Sequence, residues 1–175
     1  LRQTSSALPA EALENYWRQR GWIALRANDP ANAESALLAS LAVIDAAPAR
    51  FSALRRAEAE ILLAEVSLLQ ADGPEASARL SRAQGAYRAE YAPTHAGYAE
   101  FAVLQARALL LTGENFRALA IIQAAEAPLS ALAGASPSAA SSDDARVANA
   151  VLAHALAANL KCADARLAFG RAQPR

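Results

Sequence analysis

The sequence predicts an all-α protein, and three observations carry that prediction. Of the 175 residues, 54% are hydrophobic but only 6% are aromatic, and alanine supplies much of the difference. Alanine has the highest helix propensity and lets helices approach closely. The chain has seven glycines and no alternating runs of β-branched residues, which argues against a sheet. Apolar residues instead recur at helical spacing between short breaks.

The unit over residues 94–127 sets the pattern for the rest of the chain. It reads as a helix, a tight turn at residues 112–115 (TGEN) and a second helix. Neither helix can bury its apolar face alone, and related units occur before and after it. We therefore predict a right-handed α-solenoid of about four antiparallel helix hairpins, in which each hairpin packs only against its neighbours.

A lead-in over residues 1–10 precedes the first hairpin, which spans about 11–47. Its helices are predicted over 11–27 and 32–45, because apolar residues recur there at helical spacing. Pro30 breaks the pattern between them, since proline lacks the amide donor that a helix interior needs but suits a first turn.

The second hairpin is predicted over about 48–92. A long helix over 49–71 is followed by the run Asp-Gly-Pro and a second helix over 74–91. Gly73 is expected to end the first helix and Pro74 to open the next.

The third hairpin spans 93–127 and the fourth 142–175. Between them, residues 128–142 are rich in Ala, Ser and Pro, which predicts a long loop. The run Ser-Asp-Asp at 142–144 is expected to cap the next helix. The last helix is predicted to begin near Ala163.

Small or apolar residues recur at matching positions in the four units. One set follows each turn, with separations of 45, 40 and 47 residues (78 − 33, 118 − 78 and 165 − 118). It consists of Ala33, Ala78, Ala118 and Ala165. The second set lies twelve residues earlier and consists of Gly21, Val66, Ala106 and Ala153. These are the positions at which the two helices of a hairpin are expected to cross.

The first unit resembles a tetratricopeptide repeat (TPR), in which an aromatic residue is followed four residues later by glycine and twelve further on by alanine. Trp17, Gly21 and Ala33 match this pattern. The long helices and the turn at 91–95 resemble the kinesin-light-chain type of array. The resemblance covers about residues 12–170 and implies that the first helix of each hairpin lines a concave, partner-binding groove.

The resemblance also implies which side chains would face a partner. Arg18 and Arg107 are expected to hold a carboxylate, and Trp22 is expected to act as an aromatic anchor. The alternative is that these are solvated charges and a packed tryptophan. The full implied set is Asn15, Arg18, Trp22, Glu60, Ser67, Glu100, Arg107 and His154.

The residues most often used in catalysis are few and scattered. We expect His95 to cap or pack the turn near Pro93, His154 to be an ordinary helix histidine, and Cys162 to be a small buried residue. No Gly-rich phosphate loop, HExxH, CxxC or GxSxG occurs. The sequence therefore predicts no enzymatic activity, no catalytic residues, no metal site and no cofactor.

Charge and hydropathy restrict the partners. Seventeen basic and seventeen acidic residues cancel, which argues against nucleic-acid binding by this region. The most apolar helical stretch, 147–160, is too short to span a membrane. One cysteine suits either redox environment, so the compartment stays open, with the cytoplasm preferred to the periplasm.

These features favour a non-catalytic module that binds a protein or peptide partner. The chain starts at Leu1 and has no methionine, so we expect one region of a larger signalling or regulatory protein. Two alternatives stay open. One is a ligand-sensing repeat domain, and the other is an oligomerisation scaffold that associates with copies of itself through an uncapped terminal helix.

Overall fold

The computed structural model describes residues 8–92, 95–125, 139–159 and 161–173, and within these ranges it is all-α, without a strand. None of the helices it describes is both long and apolar enough to cross a membrane. The elements, in chain order, are α1 (Ala10–Arg26), α2 (Pro30–Ala46), a short 3₁₀ turn (Pro48–Arg50), α3 (Ala53–Leu69), α4 (Gly73–Glu90), α5 (Ala96–Leu111), α6 (Asn115–Ala124), α7 (Ala139–Ala158) and α8 (Cys162–Ala172).

Side-chain caps explain where α2, α3 and α4 begin. The Asp29 carboxylate accepts hydrogen bonds from the side chain and the backbone N–H of Asn32, and these two bonds lower the pKa of Asp29. Asp72 caps α4 in the same way through the N–H of Glu75, and Ser52 caps α3. In α2 and α4 a proline occupies the first turn, where its missing donor costs nothing.

Two predicted boundaries are wrong. The helix expected over 49–71 is interrupted, because residues 48–50 form a 3₁₀ turn and the extended Phe51 precedes the Ser52 cap. The loop expected over 128–142 ends earlier than predicted, because α7 already begins at Ala139. The run Ser-Asp-Asp at 142–144 therefore lies inside the helix and not at its start. Residues 126–138 lie outside the described ranges.

The helices pack in chain order. The closest packing joins α1 to α2, α3 to α4, α5 to α6 and α7 to α8. Further contacts join each even-numbered helix to the odd-numbered helix that follows it. Successive odd-numbered helices also contact each other, as α1 does with α3 and α3 does with α5. The odd-numbered helices therefore share one side of the molecule.

Among the residues that the structure describes, the buried apolar side chains form three successive clusters. The first joins α2 to α3 through residues such as Leu37 and Leu63. The second joins α3 and α4 to α5 around Leu80 and Phe101. The third is the largest, runs from α5 to α8, and includes Ile122. Each cluster thus bridges one helix pair to the next.

The turns between paired helices share one backbone geometry. The residue at the centre has a positive φ in three of them: 56° at Asn28, 59° at Ala71 and 79° at Gly113, which lie 43 and 42 residues apart (71 − 28 and 113 − 71). The following N–H reaches back five residues to a carbonyl, as expected for a Schellman cap. The bonds measure 2.8–2.9 Å and run from Asp29 to Ala24, from Asp72 to Ser67, from Glu114 to Leu109 and from Lys161 to Leu156.

This shared turn shows that the predicted alignment of the second unit with the other units, its register, is wrong by two residues. The residue five places after the turn centre is Ala33, Ala76 or Ala118, and each of these is fully buried. The predicted Ala78 is only partly buried. Twelve residues before Ala76 lies Ala64, also fully buried, in place of the predicted Val66.

The register error arises at Gly73, whose neighbours in the sequence predict a helix end. The left-handed residue is instead Ala71, and Gly73 is the first residue of α4. A Cβ on Gly73 would come within 2.7 Å of the Cβ of Leu111, so this glycine allows α4 to approach α5. The crossing residues of the four odd-numbered helices are therefore Gly21, Ala64, Ala106 and Ala153.

The turn geometry predicts opposite effects for two substitutions. An L-residue with a side chain is disfavoured in the left-handed region by about 1–2 kcal/mol. Ala71→Gly should therefore stabilise the protein by roughly 0.5–1 kcal/mol, after allowing for the greater freedom of glycine in the unfolded chain. Gly113→Ala should destabilise it by about 1 kcal/mol. Urea unfolding followed by circular dichroism measures both, and a loss of stability in Ala71→Gly would contradict the assigned turn.

A second prediction concerns the crossing of α1 and α2. A Cβ on Gly21 would lie 2.5 Å from Cγ of the fully buried Leu37, whereas a Cβ on Gly85 in α4 would meet nothing within 4 Å. Both glycine-to-alanine changes gain about 1 kcal/mol of helix propensity. Because the added methyl group overpacks the crossing, the free energy of unfolding of Gly21→Ala should be lower than that of Gly85→Ala by about 1–3 kcal/mol in the same urea assay. Equal stabilities would show that this crossing has room for a methyl group.

Candidate partner-binding groove

The residue after each crossing residue lies on the side shared by the odd-numbered helices. These four residues are Trp22, Glu65, Arg107 and His154. We call the surface they mark the odd-helix groove. The small crossing residue faces the partner helix of its pair. The next residue is rotated by about 100° around the helix axis and therefore lies beside that contact and not in it.

Three adjoining hollows follow this groove, and Arg107 lines all of them. The first lies at the ends of α1 and α3 and is lined by Trp22, Leu25, Arg26, Glu65, Leu69 and Arg107. The second is central, and its lining includes Arg26 of α1, Glu100 of α5 and Val147 of α7. Residues from the first and the last odd-numbered helix thus border one concavity.

The third hollow has a different chemistry from the other two. Its walls are mainly aliphatic and come from α3, α5 and α7. The lining residues are Leu68, Arg107, Leu110, Leu111, Val147, Ala150, Val151 and His154. Of the described residues in this lining, Arg107 and His154 carry the ionisable side chains, and none is a carboxylate. An apolar ligand with a negative charge would match this lining.

Aromatic residues border the first and second hollows. The Trp22 ring is 44% exposed, and the Arg26 guanidinium carbon lies 5.5 Å from its centroid, a cation–π distance. Tyr87 lines the second hollow and stacks on Phe101 with centroids 5.2 Å apart. Burial raises the pKa of Tyr87 to about 12, with smaller contributions from Tyr91 and nearby carboxylates. Its hydroxyl is therefore uncharged at neutral pH.

The structure brings four of the sequence-predicted residues together in this groove: Trp22, Glu100, Arg107 and His154. Glu100 and His154 are exposed, and Arg107 is partly buried. Whether these residues bind a partner stays a prediction.

Two other predicted residues lie inside the protein. Glu60 is 3% exposed and forms ion pairs with Arg79 at 3.2 Å and Arg82 at 3.1 Å, both on α4. Its hydrogen bond is the main reason why the pKa of Arg82 is raised. Ser67 is buried, and its hydroxyl donates to the Leu63 carbonyl. The prediction that both line the groove is wrong because of the two-residue register error, which rotates a position about 200° around the helix.

The remaining two residues, Asn15 and Arg18, lie in the first half and at the middle of α1. Arg18 pairs with the buried Glu14 at 3.2 Å and donates a hydrogen bond to Asn15. Glu14 also accepts a hydrogen bond from Ser40 of α2 at 3.1 Å. Arg18 therefore helps to compensate a buried carboxylate, and neither it nor Asn15 lines the three hollows.

The prediction that His95 caps or packs its turn is confirmed, and the prediction that Cys162 is buried is wrong. His95 is the N-cap of α5, where its Nδ1 accepts a hydrogen bond from the N–H of Gly97, and its ring stacks on Tyr91. Cys162, predicted to be buried, is exposed at the first position of α8. The burial at the start of that helix comes instead from Ala165.

Sequence reasoning missed Arg26, Glu65 and the leucines beside them. Glu65 follows Ala64 directly, so a correct register would have identified it. Five positions after the first three crossing residues come Arg26, Leu69 and Leu111, which also line the hollows. Comparing the units at this second position, five residues after the crossing residue, would have identified them from the sequence.

No group of three or more His, Cys, Asp or Glu side chains in the described part of the chain is arranged to hold a metal ion. No family model, curated protein or solved structure matches the chain. The resemblance to tetratricopeptide repeats therefore stays a prediction that depends on the residues themselves.

Proposed function

We propose that this chain is a non-catalytic interaction module, a right-handed solenoid of four TPR-like hairpins, whose odd-helix groove binds a helix or extended segment of a protein partner. The observation that carries the proposal is the position of Arg107, which lines all three adjoining hollows. One guanidinium at their junction can meet a partner carboxylate wherever the partner runs along the groove.

The lining of the third hollow narrows the partner's chemistry. Aliphatic walls call for apolar side chains, and the Arg107 guanidinium, in a lining without a described carboxylate, calls for an acidic residue beside them. We therefore expect an amphipathic segment with an acidic residue next to its apolar anchors.

Peptide display tests this proposal, because it does not require the partner to be identified first. A library of random segments is selected on residues 1–175, and the affinity of the selected peptides is measured by fluorescence anisotropy. We expect acidic, apolar sequences. Arg107→Ala should weaken their binding about tenfold or more, because a hydrogen bond to a charged group contributes about 1.5–3 kcal/mol.

Arg88→Ala is the matched control, because Arg88 is an exposed arginine of α4 that lines none of the three hollows. It should bind the selected peptides as the unaltered chain does. An equal loss of peptide affinity in both variants would show that the effect comes from the change in net charge and not from the position of Arg107. Unchanged binding by folded Arg107→Ala would refute the groove as the binding surface.

A further inference from the structure

Arg107 differs from the other partly buried arginines of the described chain, because each of those is paired with a carboxylate. Arg18, Arg55 and Arg79 form ion pairs with Glu14, Glu58 and Glu60 at 3.2, 3.3 and 3.2 Å. Arg107 forms neither a hydrogen bond nor an ion pair with any residue that the structure describes. A guanidinium that is partly withdrawn from water without such a partner is suited to an anion from outside the chain.

The third hollow is where this guanidinium meets an apolar surface. Its aliphatic walls come from α3, α5 and α7 and enclose about 420 Å³, within the range of about 300–1,000 Å³ that is common for small-molecule sites. Leu111 and Val147 are 47% and 45% exposed, so apolar surface in the hollow is left in contact with water. All three helices have described neighbours before and after them in the chain. The hollow is therefore a feature of the stack itself and not of either end.

Charge distinguishes this hollow from the two beside it. Glu65 lines the first and the second hollow, and Glu100 lines the second. No described residue of the third hollow is a carboxylate. His154 lines it together with Arg107, and an imidazole can donate a hydrogen bond through a ring nitrogen. A ligand carboxylate would therefore meet two donors in this hollow and no described group of like charge.

We infer that the third hollow binds a small monocarboxylic acid with an apolar chain, such as a medium-chain fatty acid. The carboxylate accepts hydrogen bonds from Arg107, whose planar guanidinium matches two carboxylate oxygens. The chain of the acid lies against the aliphatic walls, where it covers apolar surface that is otherwise in water. The bound acid occupies the guanidinium that an acidic residue of the partner would use, so it competes with the partner. This competition alone rests on the proposed function.

Titration of residues 1–175 with octanoate, followed by NMR spectra of the methyl groups, tests this inference. Octanoate should bind saturably and at least tenfold more tightly than octanol, which lacks the charge, or butyrate, which lacks most of the chain. The methyl signals of Leu110 and Val151 in the third hollow should shift, and those of Leu25 in the first hollow should not.

Two variants test the charge and the position of the site. Arg107→Ala should weaken octanoate binding about tenfold or more, because the carboxylate loses its charged donor. Ala150→Glu should also weaken it about tenfold or more, because Ala150 is an exposed residue of the lining and the added carboxylate repels the ligand.

Each variant has a matched control. Ala150→Gln adds a side chain of the same size without the charge, and Arg88→Ala removes an exposed arginine that lines none of the three hollows. Both should bind octanoate nearly as the unaltered chain does, and circular dichroism should show all four variants folded. Octanol that binds as tightly as octanoate, unchanged binding by Arg107→Ala, or equal losses in Ala150→Glu and Ala150→Gln would each overturn the inference.

Fluorescence anisotropy of the selected peptides measures the competition. Octanoate should displace these peptides from the unaltered chain, and bound peptide that octanoate does not displace would overturn the competition. The two proposals fail separately. A chain that binds the peptides but not octanoate overturns the carboxylate site alone, whereas a chain that binds octanoate but selects no peptide supports the carboxylate site and refutes the partner groove.

Discussion

The structure depends on one apolar contact that is made repeatedly, between an even-numbered helix and the odd-numbered helix after it. Leu37, Leu80 and Ile122 are buried because the following odd-numbered helix contributes to the same cluster. Full burial of such a side chain contributes about 1.5–3 kcal/mol. A helix pair without a successor loses this contribution, so no pair is expected to be stable alone. Stability is thereby spread along the chain instead of being concentrated in one centre.

The same packing produces the groove. Small residues where paired helices cross, such as Gly21 and Ala64, let the helices of a pair approach closely, and the residues that follow them are left on the outer side. Buried charges contribute to the pairing as well. Glu60 joins α3 to two arginines of α4, and Glu14 of α1 accepts a hydrogen bond from Ser40 of α2. The groove residues therefore lie outside these pairing contacts, on the side that the odd-numbered helices share.

The sequence predicted the helices and turns well because these depend on local chemistry. The Asp29 cap before Pro30 and the left-handed turn before Glu114 can be recognised from neighbouring residues. The register of the second unit was missed because two alanines, Ala76 and Ala78, both suit a crossing, and because Gly73 has the sequence context of a helix end. Its actual role is to allow the approach of a helix distant in sequence, which local patterns do not show. Half of the predicted groove residues reach the groove, and the two-residue register error accounts for the buried Glu60 and Ser67.

A double-mutant cycle tests the serial packing most directly. Leu80 and Phe101 belong to the same cluster although they lie on different helix pairs, whereas Leu37 and Ile122 belong to different clusters. Each residue is changed to alanine singly and in pairs, and the free energy of unfolding is measured in urea. Serial packing predicts a coupling of about 0.5–3 kcal/mol for Leu80 with Phe101, and additivity within about 0.5 kcal/mol for Leu37 with Ile122. Additive effects in the first pair, or strong coupling in the second, would contradict this arrangement.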